Sequence, residues 1–328
     1  MKHMNSALVL AAAAGLAACG GGSGGSDTVA AADPVTISAA NAEEVAGTAY
    51  DAGASLEGAG LGGAGLVTPA AVGGAAAGGV DMIEVIVGQL QASESWFAGS
   101  GTVSAAATTS QSQACSEGSV SFTFNDADGD GELSSGDSMS ATYYQCVEGD
   151  TVLNGGFSIS NIVISGDPSV PPYSLQLTIQ ASNFTATANG ETSSLHGGMT
   201  LSLTTDGVSS SVSVSGSSII VSGAGGNAAL SSFVLQSTHD ESSGAYTLKV
   251  DAIVSSSEIG GSVTIVTDIR FEAVEPGDPY QGRAIITGAD NTSVTLVAMS
   301  DGVTVQLLVD EDGDGIPDET LQRTWNDL

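Results

Sequence analysis

Two stretches of the chain place carboxylates at alternate positions: Asp126-Ala-Asp128-Gly-Asp130-Gly131-Glu132-Leu133-Ser-Ser-Gly-Asp137 and Asp310-Glu-Asp312-Gly-Asp314-Gly315-Ile316-Pro317-Asp318. Three aspartates at i, i+2 and i+4 repel one another unless a cation lies between them. All the donors are hard oxygens on loops that look flexible, which points to Ca²⁺ rather than to a softer metal. Groups suited to catalysis are fewer. Beyond residue 18 the histidines are His196 and His239, both expected in or beside turns. There is no Gly-x-Ser-x-Gly elbow, no His-Glu-x-x-His pair and no phosphate loop. Glu272, Glu275 and Asp278 could pair as acid and base, although acids beside a Pro-Gly turn are usually just solvated.

The first stretch resembles the twelve-residue calcium loop of EF-hand and dockerin proteins, which takes oxygens at positions 1, 3, 5, 7 and 12 with Gly at 6. The resemblance implies Asp126, Asp128, Asp130, the carbonyl of Glu132 and Asp137 as ligands, with Gly131 at the sharp turn. The closing acid is Asp rather than Glu, and the flanks are not helical. Ser119-Val-Ser-Phe-Thr-Phe124 alternates like a strand and 139–146 is strand-like too, so the loop is expected at the tip of a β-hairpin. The second stretch resembles the Asp-x-Asp-x-Asp-Gly-x-x-Asp loop of thrombospondin type 3 repeats. That likeness implies Asp310, Asp312, Asp314, the carbonyl of Ile316 and Asp318 as ligands. Its position 12 is Leu321, which leaves Glu319 or water to complete the shell. Each likeness covers only about a dozen residues and says nothing of the whole fold.

The start of the chain gives an address. Lys2 and His3 precede an apolar run over 7–16 that is too short to span a bilayer, as in a signal peptide. Leu16-Ala17-Ala18-Cys19-Gly20 then resembles the lipobox of bacterial lipoproteins. The resemblance implies removal of residues 1–18, acylation of Cys19, and, because Gly20 rather than Asp follows, the outer membrane. Several acyl chains anchor stably where one is marginal. Residues 19–37, rich in Gly, Ser and Ala, are expected to be a tether. An exported chain with two remaining cysteines joins them, so Cys115 and Cys146, whose midpoint falls within the first acidic loop, are expected as a disulfide.

Composition narrows the partners. The 328 residues carry 5 Lys+Arg against 37 Asp+Glu, a net charge of −32 that becomes −33 once Lys2 is removed. Such a chain repels nucleic-acid phosphates, which excludes them as direct ligands.

The elements that must hold the loops come next. In Tyr173-Ser-Leu175-Gln-Leu177-Thr-Ile179-Gln every odd residue is apolar, the pattern of a half-buried strand. Such runs recur over 155–309, broken by Asn189-Gly190, Asp206-Gly207 and Asp301-Gly302, pairs that suit type I′ hairpin turns. Leu153-Asn-Gly155-Gly156, Leu195-His-Gly197-Gly198 and Ile259-Gly260-Gly261 suggest a weak repeat of hairpins, with strands of about fourteen residues. Ahead of the sheet, Ala42, Val45, Ala49, Ala52 and Leu56 give one face of a helix over 41–56, with Asn41 as its cap. Val80, Ile83, Val87, Leu90 and Phe97 give a second over 80–97, and 58–80 reads as a Gly/Ala linker.

The expected fold is therefore mainly β: a long-stranded antiparallel meander over 99–328, curled into an open or half-barrel sheet, with two helices within 38–98 packed on its apolar face. An outer-membrane barrel is the rival, and aromatics at 5% are too few for its girdles. The functional expectation is a monomeric, lipid-anchored, calcium-stabilised module of the cell envelope, binding a protein or glycan or serving a structural role. A carrier of lipid or another apolar ligand is the first alternative. A polysaccharide hydrolase using the 272–278 acids is the second.

Overall fold

The computed structural model describes residues 32–61, 107–130, 133–167, 170–188, 190–223, 226–274 and 277–328, all within the compact unit Ala31–Leu328. The signal peptide, Cys19, most of the tether, the 62–80 linker, the 80–97 helix, Gly131, Glu132 and Glu275 lie outside them.

The alternating pattern folds as read. The strands are β1 (Ala107–Ala114), β2 (Ser119–Asp126), β3 (Ser138–Glu148), β4 (Thr151–Asp167), β5 (Val170–Ala188), β6 (Glu191–Thr205), β7 (Ser209–Gly223), β8 (Gly226–Asp240), β9 (Ala245–Ser256), β10 (Gly261–Val274), β11 (Gln281–Thr287), β12 (Ser293–Ala298), β13 (Thr304–Asp310) and β14 (Glu319–Thr324). They form one antiparallel sheet whose spatial order is the chain order, and it is not closed: β1 and β14 are its two edges among the described residues. β5 has 19 residues, a reach of about 60 Å, longer than the fourteen expected.

Such strands cannot stay flat over that length, and irregularities relieve them. Register shifts interrupt the pairing of β3 with β4, β4 with β5, β5 with β6, β6 with β7, β8 with β9, β9 with β10 and β10 with β11. Gln145, Asn161, Asn183 and Ser232 adopt positive φ inside strands, where the extra residue of a bulge turns the chain. The Gly155 and Gly197 signatures belong to this set. They sit within β4 and β6 rather than opening a strand after a turn, and only Gly260 lies in a turn. At Gly155 (φ +79°) a Cβ would stand 2.0 Å from the Asn183 carbonyl oxygen, so only glycine fits there.

One face of the sheet is apolar and buried, with Phe122, Phe157, Phe184, Leu235, Ile265 and Leu307 among its residues. The other carries hydroxyls that pair across strands, as in Ser110–Thr123 (3.1 Å) and Thr238–Thr247 (2.8 Å). The Asp-Gly turns lie where expected but not in the expected form. Gly207 and Gly302 have positive φ whereas Asp206 and Asp301 do not. Each Asp instead accepts two backbone N–H groups ahead of it, Val208 and Ser209 for Asp206, Val303 and Thr304 for Asp301. The carboxylate thus closes the turn from outside, which removes the need for a left-handed aspartate.

Of the two expected helices, one stands among the described residues: α1 (Ala42–Leu61), longer at its C-terminal end than read. Ala42, Val45, Ala46, Ala49 and Tyr50 are buried, and the Tyr50 ring meets Phe271 and Trp325, each with centroids 5.1 Å apart. Glu43 forms an ion pair with Arg323 of β14. At Gly47 a Cβ would lie 2.2 Å from the Leu328 carbonyl, so the C-terminus runs directly against the helix. The side chain of Asn41 turns backward to accept the Ser38 N–H (2.8 Å), while its carbonyl accepts the Val45 N–H.

The expected tether also ends earlier than residue 37. Val35 N–H donates to Ser262, the Val35 carbonyl accepts from Ala289, and Ile37, fully buried, donates its N–H to Thr292 Oγ1 at 2.9 Å. Val35 and Ile37, apolar and two apart, are the residues that pin this segment to the sheet. No helix among the described residues is long and apolar enough to cross a membrane.

Candidate metal centres

The first acidic loop connects β2 to β3 at a hairpin tip, as expected. Asp126 ends β2 and Asp137 precedes β3, and the two are 2% and 1% exposed. Burial of two carboxylates is costly unless each is satisfied. Asp137 accepts the N–H groups of Ala127 (2.8 Å) and Ser134 (2.6 Å), and Asp126 accepts that of Gly129 (2.6 Å). Asp128 accepts the Asp130 N–H (3.2 Å) and the Ser134 hydroxyl (3.0 Å), and these two donors hold its carboxyl below the usual range. Each engaged oxygen retains a lone pair for a cation. Ser134, the ninth residue of the loop, lies outside the acidic pattern of the sequence. Its position is one where EF-hand loops place a group that acts through water, and that was the available signal.

The second loop connects β13 to β14. Asp310, 4% exposed, accepts the N–H of Gly313 and of Gly315, both at 2.8 Å. Asp312 accepts that of Asp314 (3.1 Å), and Asp318 accepts that of Glu311 (2.9 Å). The two loops thus share one plan. The N–H of the second residue goes to the closing aspartate, that of the fourth to the first aspartate, and that of the fifth to the second. This plan survives although the closing aspartate lies at position 12 in one loop and 9 in the other. Glu311 further accepts the Ala39 N–H at 2.6 Å, which ties the second loop to the segment leading into α1.

Asp126, Asp128 and Asp137 come together with one oxygen each inside 4.8 Å, and so do Asp310, Asp312 and Asp318. Two oxygens bound to one Ca²⁺ at 2.3–2.6 Å can be at most about 5 Å apart, so both triads fit that ion, and neither contains a nitrogen or sulfur donor. Asp130 and Asp314, the fifth residue of each loop, stand outside the triads. Asp314 instead accepts the Ile316 N–H (2.8 Å), and Ile316 is largely exposed. Comparison with protein families, curated proteins and solved structures returned no match. The loops' own geometry therefore carries the reading.

Cys115 and Cys146 form the expected disulfide, with Cα atoms 5.3 Å apart. It clasps the end of the β2–β3 hairpin remote from the loop, next to the Ser119–Tyr144 pair. The remaining candidates are not gathered into a site. His196 lies within β6 rather than in a turn, and its Nδ1 accepts the Asn183 N–H at the bulge (3.4 Å). His239 lies near the end of β8, 3.5 Å from Glu241. Glu272 accepts from the Tyr280 hydroxyl (3.5 Å) and the Gln281 amide (3.4 Å). Among the described residues neither Glu272 nor Asp278 joins a cluster of three ligand-type side chains.

One buried polar atom lies elsewhere. Among the described residues the Tyr143 hydroxyl has no hydrogen-bond partner, and its ring sits among Phe122, Phe157 and Phe184 at centroid distances of 5.5 to 6.3 Å. Burial pushes this phenol well above its ordinary pKa, and the nearby Glu148 carboxylate adds to the shift.

Proposed function

We propose that the chain is a calcium-stabilised, lipid-anchored β-sheet protein of the outer membrane, acting as a binding or structural module of the cell envelope. The observation that carries the ion is the repeated plan: two loops of different length and different hairpins turn three aspartates inward to within 4.8 Å. Asp126, Asp128 and Asp137 would supply one site and Asp310, Asp312 and Asp318 the other, with the carbonyls of Glu132 and Ile316 and the carboxylates of Asp130 and Asp314 within the same short loops. Calcium would neutralise crowded acids and stiffen both hairpin tips once the chain reaches a calcium-rich compartment. The lipobox and the disulfide support export, and acylated Cys19 would hold the sheet to the membrane. Calorimetric titration of the chelated protein with Ca²⁺ is expected to give two sites, with a melting temperature several degrees higher when they are filled. No heat of binding, together with an unchanged melt in EDTA, would remove the ion from this reading.

A second reading, carriage of an apolar ligand, is favoured by the Tyr143 hydroxyl, a donor that no group among the described residues satisfies, set among aromatic rings. A ligand with an apolar body and a carbonyl or hydroxyl would satisfy both. Mass spectrometry of natively extracted protein decides it: co-purifying lipid supports the carrier, and an empty protein discards it.

A further inference from the structure

The two edges of the sheet are not alike. β14 carries Glu319 and Arg323, the latter paired with Glu43 of α1, and the chain leaves it through Trp325, whose N–H returns to the Val303 carbonyl. β1 reads Ala-Thr-Thr-Ser-Gln-Ser-Gln-Ala and has no charge, no proline and no bulge. Its register with β2 runs unbroken from Ala107↔Asp126 to Ala114↔Ser119. From Thr108 to Ala114 every residue but the half-buried Thr109 is exposed, so among the described residues both faces of the strand are open. Exposed edges are commonly blunted by lysine, proline or a bulge, because their free N–H and C=O groups are a template for another strand. β1 has none of these devices.

We propose that β1 is a pairing edge whose occupant is β1 of a second copy, laid antiparallel across a twofold axis. Three observations favour a copy of this chain over an unrelated strand. The strand is free of charge in a chain of net charge −32, so two identical β1 strands meet without the repulsion that the remaining surface would impose. Its side chains are Thr, Ser and Gln, and the sheet already joins such residues across strands, at Ser110–Thr123 and Thr187–Thr192. The third is the placement of the acidic loop. Asp126 is opposite Ala107, so the first metal loop flanks one end of β1. Antiparallel pairing sends the loops of the two copies to opposite ends of a strand about 27 Å long, well beyond the Debye length of about 8 Å at physiological salt. Parallel pairing would bring them side by side. The geometry thus selects an isologous, closed dimer rather than a fibre. It replaces the monomer expected from sequence, and it does not depend on calcium or on the membrane anchor.

The test is sedimentation equilibrium of the full chain in mild detergent, with micelles in excess, over about 1–100 μM. It is combined with amide exchange across residues 108–114. A monomer–dimer equilibrium is expected, tightening with salt as the net charge is screened. Protection of the β1 amides should rise with protein concentration. Ser110→Lys with Ser112→Lys places like charges on the pairing strand and is expected to weaken the dimer at least about tenfold. Ser211→Lys with Thr264→Lys, exposed positions on inner strands, should leave it unchanged. A monomer throughout the range overturns the proposal, whether or not another protein binds β1. Equal dimerisation by both lysine pairs overturns it too, as does β1 protection independent of concentration, which would mean that the chain covers its own edge.

Discussion

Asp137→Asn separates the structural from the ionic work of the first loop. The wild-type carboxylate is almost wholly buried and receives two backbone N–H groups, from Ala127 and Ser134. Asparagine keeps one acceptor oxygen and turns an NH₂ toward the other donor. One charge-assisted hydrogen bond is lost, a cost of about 1.5–3 kcal/mol that is the same with or without calcium. The ionic part is added to this. At a free Ca²⁺ concentration of about 100 times the dissociation constant, each site stabilises the fold by about 2.7 kcal/mol, so two sites give about 5 kcal/mol. The variant retains the Asp310 loop alone and should gain only about half as much. The assay is urea unfolding of both proteins in EDTA and in saturating Ca²⁺, comparing the calcium-induced change within each protein. Asp318→Asn, whose one amide oxygen can still accept the Glu311 N–H but whose carboxylate charge is gone, should mirror the calcium result, and the double variant should show no calcium gain. If Asp137→Asn gains as much from calcium as the wild type, the ion is not held at this loop and the reasoning fails.

Further expectations concern the fold. Replacing Cys115 and Cys146 by serine opens a loop of 31 residues and should lower stability by about 3–4 kcal/mol through loop-closure entropy; urea unfolding with and without reductant measures it. The turn aspartates and Asp51 should titrate with opposite signs. Asp240 is held down to about 2, first by the Ser242 hydroxyl and then by the Ser243 N–H, so its contribution is intact above about pH 4 and lost as pH falls toward 2. Asp51 is raised, by burial first and then by the Glu258 carboxylate, so its protonated form favours the fold at low pH and that advantage disappears as pH rises through its folded pKa. Asp51→Asn should therefore be more stable than wild type at pH 7 and equal to it in acid, whereas Asp240→Asn should be less stable at pH 7; unfolding curves between pH 2 and 7 check both. Gly155→Ala meets the Asn183 carbonyl and a positive φ, and should cost about 2 kcal/mol or more by thermal melting.

The alternation in 173–180 was enough to find β5 and its hydroxyl face, because a period of two has one physical meaning in a half-buried sheet. The acidic loop was placed on a hairpin for the same reason: the residues flanking it alternate. Other features were less legible, since each depends on contacts distant in sequence. Gly155 and Gly197 look like turn glycines, and only the approach of a neighbouring strand shows them to be bulge positions. His196 stood next to two glycines and so looked like a loop residue. Val35 and Ile37 carry a strand-like spacing, but two residues after a low-complexity run are too short a signal to outweigh it. For the loops, spacing revealed which residues are acidic and close in sequence. It could not reveal which three aspartates of each loop bring an oxygen within 4.8 Å of one another, because the conformation of the loop decides that.

The strict chain-order arrangement of the strands has a consequence for how the molecule is assembled. Every inner strand pairs with the strand just before it and the strand just after it, and the two edge strands with their one chain neighbour, so no strand waits for a distant strand. A chain emerging end-first from a narrow channel can lay down each new strand on the last, and the growing sheet always presents a fresh border to the next arrival. The same order lets the sheet be lengthened or shortened by whole hairpins, because deleting an adjacent pair rejoins strands of the same polarity to the same kind of neighbour.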